Sequence, residues 1–151
     1  MSTVEFHPSG KLHPRAAEFS LLGDLLQAPV RSGSDLAALA EQRVSIDVLD
    51  RLGAHGLKAD ELLFIIPRRT LSHRRQNGER LSAEESDKAI RLAKIVAQAE
   101  AVFGDQEKAM TWLRGHHTRF AGKTSLELAA TEHGARLVED ALGQIDEGYF
   151  A

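Results

Sequence analysis

The sequence predicts an all-α fold, and three observations carry that expectation. Aromatic residues make up only 5% of the chain, so the core has to be built from Leu, Ile, Val and Ala, a set that suits helices better than strands. The two best-patterned segments step their apolar residues by three and four, the spacing of one helix face. No run of four or more residues alternates cleanly over a strand length.

The elements follow in order. Residues 1–33 carry Pro8, Pro14 and Pro29, with Gly10, Gly23 and Gly33 among them, and read as a mostly irregular arm. The apolar patch Phe19 to Leu26 predicts one short helical turn there, docked by its leucines. A sustained helix is expected from Ser34 to about Arg43, with Leu36, Leu39 and Ala40 on one side. Ser45 fits an N-cap for a helix carrying Ile46, Leu49 and Leu52, ended by Gly53 or Gly56. Lys58 to Ile66 reads as a short apolar helix that Pro67 breaks. A new helix, Arg68 to Gln76, begins at that proline and closes on Asn77-Gly78.

Ser82-Ala-Glu-Glu85 has the capping-box spacing and opens the longest helix, whose apolar positions are Ala89, Leu92, Val96, Ala99 and Phe103. Lys88, Arg91 and Gln98 lie off that stripe, so the helix is expected to be amphipathic. Gly104 stops it, and Asp105 caps a helix over Gln106–Leu113. A loop over residues 114–123 follows, with His116-His117 expected at the surface. Thr124-Ser-Leu-Glu127 is a second capping box, and Thr131 caps a last helix with Ala135, Val138, Leu142 and Ile145 inward. The expected organisation is an arm over 1–33, a helix-turn-helix domain over 34–103 and a small helical domain over 104–151.

Hydrophobic residues at 42% and charged residues at 27% are ordinary for a globular chain. There is no cysteine, which excludes disulfides and thiolate chemistry and agrees with a cytoplasmic setting. No basic segment followed by an apolar run opens the chain, and no stretch approaches the roughly 18 apolar residues of a membrane helix. Neither a leader nor a membrane span is therefore expected.

Catalytic patterns are missing. The seven histidines are scattered without an HExxH or an i,i+4 ligand pair, so no metal is expected. No nucleophile elbow, P-loop or dinucleotide glycine fingerprint occurs, so neither an enzyme nor a cofactor is expected. Glu84-Glu85 sits in a first helical turn, where the helix dipole already accounts for it.

Charge distribution says more. Residues 68–80 hold five arginines against one acid, and residues 124–151 hold six acids against one base. A helix, a tight break and an arginine-led second helix form the helix-turn-helix plan. In that plan Arg68, Arg69, Thr70, Ser72, His73, Arg74 and Arg75 are the candidate DNA contacts, since arginines pair with guanine edges and the smaller groups reach phosphates or bases. Leu71 would face inward. A solvated basic helix, or one that meets an acidic protein, fits the same spacing.

Two blocks of sequence add a family resemblance. Ile66-Pro-Arg-Arg-Thr-Leu-Ser-His-Arg-Arg, Asn77-Gly-Glu-Arg-Leu-Ser-Ala-Glu-Glu-Ser-Asp87 and Arg91-Leu-Ala-Lys-Ile-Val resemble the Xre-like helix-turn-helix region of the Xre/MbcA/ParS antitoxins. Val102 to Leu113, Gly122 to Leu128, Thr131 to Asp140 and Gly143 to Ala151 are similar to that family's toxin-binding domain, so the likeness covers roughly residues 45–151. Two positions depart from the family pattern: Arg74 stands where an apolar residue is usual, and Ala121-Gly122-Lys-Thr-Ser125 replaces a loop with two glycines and a proline.

The resemblance implies a type II toxin-antitoxin system. The partner would be a cognate RES-domain toxin that consumes NAD, inhibited by direct binding, and the antitoxin would be a homodimer that represses its own operon by binding operator DNA. An NAD site presents cationic or donor groups to the pyrophosphate, so its mouth favours acids from a partner. Glu139, Asp146 and Glu147 are then the candidate charged toxin contacts, and Tyr149, Phe150 and Ala151 the anchoring tail. Trp112 is expected in the core beside Phe103 and Leu113. A plain helix-turn-helix regulator with a helical dimerisation or sensing domain is the alternative.

Overall fold

A computed structural model describes residues 14–148. Its helices are α1 (Pro14–Leu26), α2 (Gly33–Gln42), α3 (Asp47–Ala54), α4 (Arg68–Asn77), α5 (Ala83–Phe103), α6 (Gln106–Arg114), α7 (Ser125–Leu128) and α8 (Glu132–Asp146). Short 3-10 turns occupy Ala59–Leu62 and Thr118–Phe120. Among the described residues the only β feature is an isolated antiparallel bridge between His116 and Thr124.

Four of the expected caps are in place, whereas the cap position of α3 is Ile46, with no side-chain cap, and Ser45 Oγ accepts from the Asp47 N–H just outside the helix start. Ser82 Oγ accepts from the Glu85 N–H while Glu85 Oε1 accepts from the Ser82 N–H, closing the capping box of α5. Asp105, Thr124 and Thr131 accept from the N–H groups of Lys108, Glu127 and Gly134 at the starts of α6, α7 and α8. Each satisfies one orphan donor of a first turn. Gly78 (φ 61°) and Gly104 (φ 69°) take the left-handed conformation that ends α4 and α5.

Helix α5 is the axis of the molecule. It packs against α1, α2, α6 and α8, with α3 alongside. Ala89, Ala93, Ala97 and Ala99 are fully buried along with Leu92, Ile95 and Val96. The small alanine side chains let several helices approach one backbone, so α5 is enclosed by helices where the apolar stripe predicted one covered face.

Two further expectations are corrected. The arm holds a thirteen-residue helix, α1, instead of a single turn. Pro14 opens it, as a first-turn proline can, and Leu22, Leu25 and Leu26 are buried from it. Arg51 Nε donates to the Leu25 carbonyl near its end. The apolar helix expected over Lys58–Ile66 is instead a run of tight turns. Successive i→i−3 bonds join Glu61 to Lys58, Leu63 to Asp60 and Ile65 to Leu62. Lys58 is extended, and Pro67 disfavours helical geometry at Ile66. What is left between them is too short to propagate an α-helix. Leu57, Ile65 and Ile66 are buried and hold this connector in place.

Candidate nucleic-acid interface and acidic face

With the connector a set of turns, the helix before α4 is α3, and residues 55–67 join the two. The Pro67 carbonyl accepts from the Leu71 N–H to start α4. Leu71 is half-buried, as expected of the anchor. Arg68, Arg69, Ser72 and His73 are exposed, and Thr70 is half-buried. Arg68 and Arg69 form no ion pair among the described residues. The Asn77 amide nitrogen lies 3.0 Å from His73 Nε2. Gln76 is also exposed, one turn beyond Ser72 and His73. It belongs on the same face, and the i,i+3/i,i+4 spacing alone identifies it.

The remaining arginines differ. Arg75 reaches Asp50 of α3 at 3.1 Å. Arg74 turns inward: its Nη1 donates to Glu79 at 3.0 Å and its Nη2 to Glu85 at 3.1 Å, and the side chain is only 18% exposed. A position that usually holds an apolar residue here holds a cation paired with two carboxylates. Arg74 thus ties α4 to the start of α5. Replacing it with alanine leaves Glu85 half-buried without its cation, and is expected to cost about 1–3 kcal/mol of stability in urea unfolding. The same change at Arg68 is expected to stay within about 0.5 kcal/mol. Equal losses at the two sites would contradict the structural role of Arg74.

Helix α8 carries the acids. Glu139 is half-buried, 3.3 Å from Lys94 of α5, and its carbonyl accepts from Gln98. Asp146 and Glu147 are exposed at the helix end. Tyr149, Phe150 and Ala151 lie outside the described residues. The outward stripe of α8 is His133, Leu137, Asp140, Gln144 and Glu147, stepping by four and three. Leu137 is 55% exposed. An apolar residue mid-stripe on a charged face is the contact the charge count passed over.

Trp112 is half-buried, stacked on His117 with centroids 4.8 Å apart and set edge-on to Phe120 at 6.2 Å. His117 Nε2 lies 2.8 Å from the Trp112 carbonyl. His116 is exposed as expected, whereas His117 belongs to this aromatic cluster.

The end of α3 and the connector are clamped to α5 and α6. His55 Nδ1 lies 2.6 Å from Glu100 Oε1, and Gln106 Nε2 donates to the Ala54 carbonyl. Arg114 of α6 donates to both oxygens of Glu61 and to the Gly56 carbonyl. The Arg114 guanidinium holds the Glu61 carboxyl below its ordinary value near 4.5. Burial alone would raise the Glu85 carboxyl, but the Ser82 N–H and the Arg74 guanidinium outweigh it and also lower it. A depressed folded-state pKa adds stability that is present above the unfolded value and lost as pH falls through the folded one. Thermal midpoints are therefore expected to hold near neutrality and fall below about pH 4.5. Glu61→Gln should remove about 1 kcal/mol at pH 7 and flatten part of that acid decline. An unaltered pH profile would show that the Arg114–Glu61 contact is not what protonation breaks.

Comparison with known proteins bears on both regions. Residues 35–94 match the antitoxin Xre-like helix-turn-helix domain. Residues 98–148 match the antitoxin Xre/MbcA/ParS C-terminal toxin-binding domain. The first match ends and the second begins inside α5. The chain is 46% identical over 85 residues to an antitoxin Xre of Pseudomonas putida, covering 56% of this chain and 54% of that protein. It is 31% identical over 150 residues to an antitoxin Xre of Yersinia enterocolitica, covering 97% of this chain and 98% of that one. A Prs ADP-ribosylating antitoxin of a Sphingobium strain is 32% identical over 91 residues, 54% of this chain and 57% of that protein. Neither matched domain is an enzyme. No helix of the described residues is long and apolar enough to cross a membrane. With both domains matched in order and a relative similar over nearly its whole length, the chain belongs to the Xre/MbcA/ParS antitoxin family.

Proposed function

We propose that the protein neutralises a cognate RES-domain, NAD-degrading toxin by direct binding, and that a homodimer of it represses its own operon through operator DNA in the cytoplasm. The observation that carries this reading is the pairing of a helix-turn-helix segment and a toxin-binding segment on one helix, α5. The exposed face of α4, with Arg68, Arg69, Ser72 and His73, supplies the DNA contacts, and Gln76 joins them. Arg74 is left to the fold. On the toxin side Asp146, Glu147 and the outward Leu137 stripe are the first contacts, followed by Tyr149, Phe150 and Ala151. Glu139 holds α8 to α5.

Co-expression tests this directly. A RES-domain toxin encoded beside this protein should arrest growth and deplete NAD when expressed alone, and both effects should disappear with the antitoxin present. Leu137→Glu combined with Glu147→Lys is expected to restore toxicity while leaving the fold intact by circular dichroism. Failure of the unaltered protein to bind the toxin would end the neutralisation reading.

A further inference from the structure

The stretch 54–61, which leads toward α4, is tied by polar contacts to the segment matched as toxin-binding. His55 pairs with Glu100, Gln106 donates to the Ala54 carbonyl, and Arg114 donates to Glu61 and to the Gly56 carbonyl. In each contact one partner lies within residues 35–94 and the other within 98–148. At Gly56, where φ is 112°, an added Cβ would stand 3.0 Å from Met110 Cγ, so this turn lies directly against α6. We propose that Arg114 is a positioning residue for DNA recognition: it acts from the toxin-binding segment, fixing the connector and through it the place of α4 on the operator. The proposal rests on α4 as the reading helix.

The Arg114–Glu61 contact is a fork. Nε reaches one carboxylate oxygen at 2.9 Å and Nη2 the other at 2.7 Å, a two-point geometry that sets angle as well as distance. Glu61 Oε1 also accepts from the Lys58 N–H at 2.7 Å, so the carboxylate is bound to the connector's own backbone. Beyond Glu61 the chain is stiff up to the reading helix. The bonds from Leu63 to Asp60 and from Ile65 to Leu62 continue the run of turns, and Ile65 and Ile66 are buried. Pro67 then holds φ at −62°. A displacement at Glu61 therefore reaches Arg68 with little slack.

The two ends of α4 are held differently. Near its last turn Arg74 reaches Glu79 and Glu85, all within the helix-turn-helix segment. The end that carries Arg68 and Arg69 follows the connector, whose directional ties run to α6 through Glu61 and Gly56. Burial of Leu57, Ile65 and Ile66 keeps the connector against the body, but apolar packing is non-directional, and the fork supplies the orientation. Orientation matters for one kind of DNA contact above the other. Base-edge hydrogen bonds need donors placed and aimed, whereas non-specific binding draws on charge alone. Arg114 itself is half-buried with its charge paired to Glu61, so it acts on DNA through α4.

Fluorescence anisotropy of the full chain on a duplex spanning its own promoter, and on an unrelated duplex of equal length, tests it. Arg114→Ala and Glu61→Ala should each lower promoter affinity by roughly tenfold or more, the worth of a misplaced base-edge contact. Affinity for the unrelated duplex and the slope of log affinity against log salt should match the unaltered protein, because no phosphate contact is lost. The double variant should bind no worse than either single one, as two ends of one contact do. Gln106→Ala removes one exposed hydrogen bond and should weaken promoter binding by about threefold in the same pattern. It decides the matter even where Arg114→Ala does not fold. Unchanged promoter affinity in Gln106→Ala and in every folded variant at Arg114 or Glu61 overturns the proposal. Equal loss on both duplexes also overturns it, since that marks a phosphate contact or a shortage of folded protein, and so do additive losses in the double variant. An unaltered protein that does not distinguish the two duplexes overturns the DNA reading itself, and this proposal with it.

Discussion

Replacing Gly134 with alanine is expected to cost about 3 kcal/mol, since among the described glycines it is the one where an added Cβ would come closest to backbone. Gly134 lies in the first turn of α8, where its N–H donates to the Thr131 hydroxyl. A Cβ there would stand 2.1 Å from the Leu128 carbonyl oxygen and 2.8 Å from Thr131 Oγ1. The obstacle is backbone, so no rotamer change relieves it. That carbonyl also accepts from the Thr131 N–H, which fixes the short link between α7 and α8. Relief requires α8 to lift from α7 and to strain its own cap. With a urea slope of about 2 kcal/mol/M, the midpoint should fall by about 1.5 M. Gly143 in the same helix is the control, because a Cβ there meets nothing within 4 Å. Gly143→Ala should stabilise by up to about 1 kcal/mol, as helix propensity and a stiffer unfolded chain dictate. Similar responses at the two glycines would mean that α8 does not seat against α7 as described.

Gly134 shows how far the sequence alone reaches. Local chemistry was legible: the caps at Ser82, Asp105, Thr124 and Thr131 follow from a polar side chain ahead of a periodic run, and the turn at Gly78 from Asn-Gly. These interactions span three or four residues, so the spacing contains them. Gly134 was not legible as a close-contact site, because the group it meets belongs to the preceding helix. The same limit hid α1. Its prolines and glycines argue locally for an irregular arm, and its helix draws on burial of Leu22 and Leu25 against α5. Tertiary packing overrode local preference there. Over residues 58–66 the limit runs the other way: an apolar run too short to show its period reads as a helix, whereas its leucines and isoleucines anchor turns.

The candidate sites divide on the same principle. Arginine count and spacing locate α4, and they treat Arg68, Arg69, Arg74 and Arg75 alike. Their partners differ because Glu79, Glu85 and Asp50 approach from other elements. The acid count on α8 likewise includes Glu139, which Lys94 draws toward α5, and passes over Leu137, which is exposed. Departure of Arg74 from the family's apolar pattern was visible in the sequence. What it meant was not, since an arginine read alone signals a basic surface, and only the two carboxylates beside it make it part of the interior.

That division sets the second large effect. Arg68→Ala with Arg69→Ala is expected to lower operator affinity by at least tenfold and to reduce the slope of log affinity against log salt by up to about 2. Both side chains are exposed and form no ion pair among the described residues, so they can neutralise phosphates or pair with guanine without first breaking one. Their position at the start of α4 also adds the helix's amino-terminal N–H groups, which favour phosphate. Arg75 has to leave Asp50 to do the same, so Arg75→Ala should cost less. Electrophoretic mobility shifts or fluorescence anisotropy at several salt concentrations read all three variants. Base contacts and phosphate contacts separate in the same data. Loss confined to the operator marks an edge contact, whereas equal loss on unrelated duplex DNA marks a phosphate contact. If the double variant keeps both its affinity and its salt slope, α4 is not the reading helix, and the DNA contact has to be sought on another face.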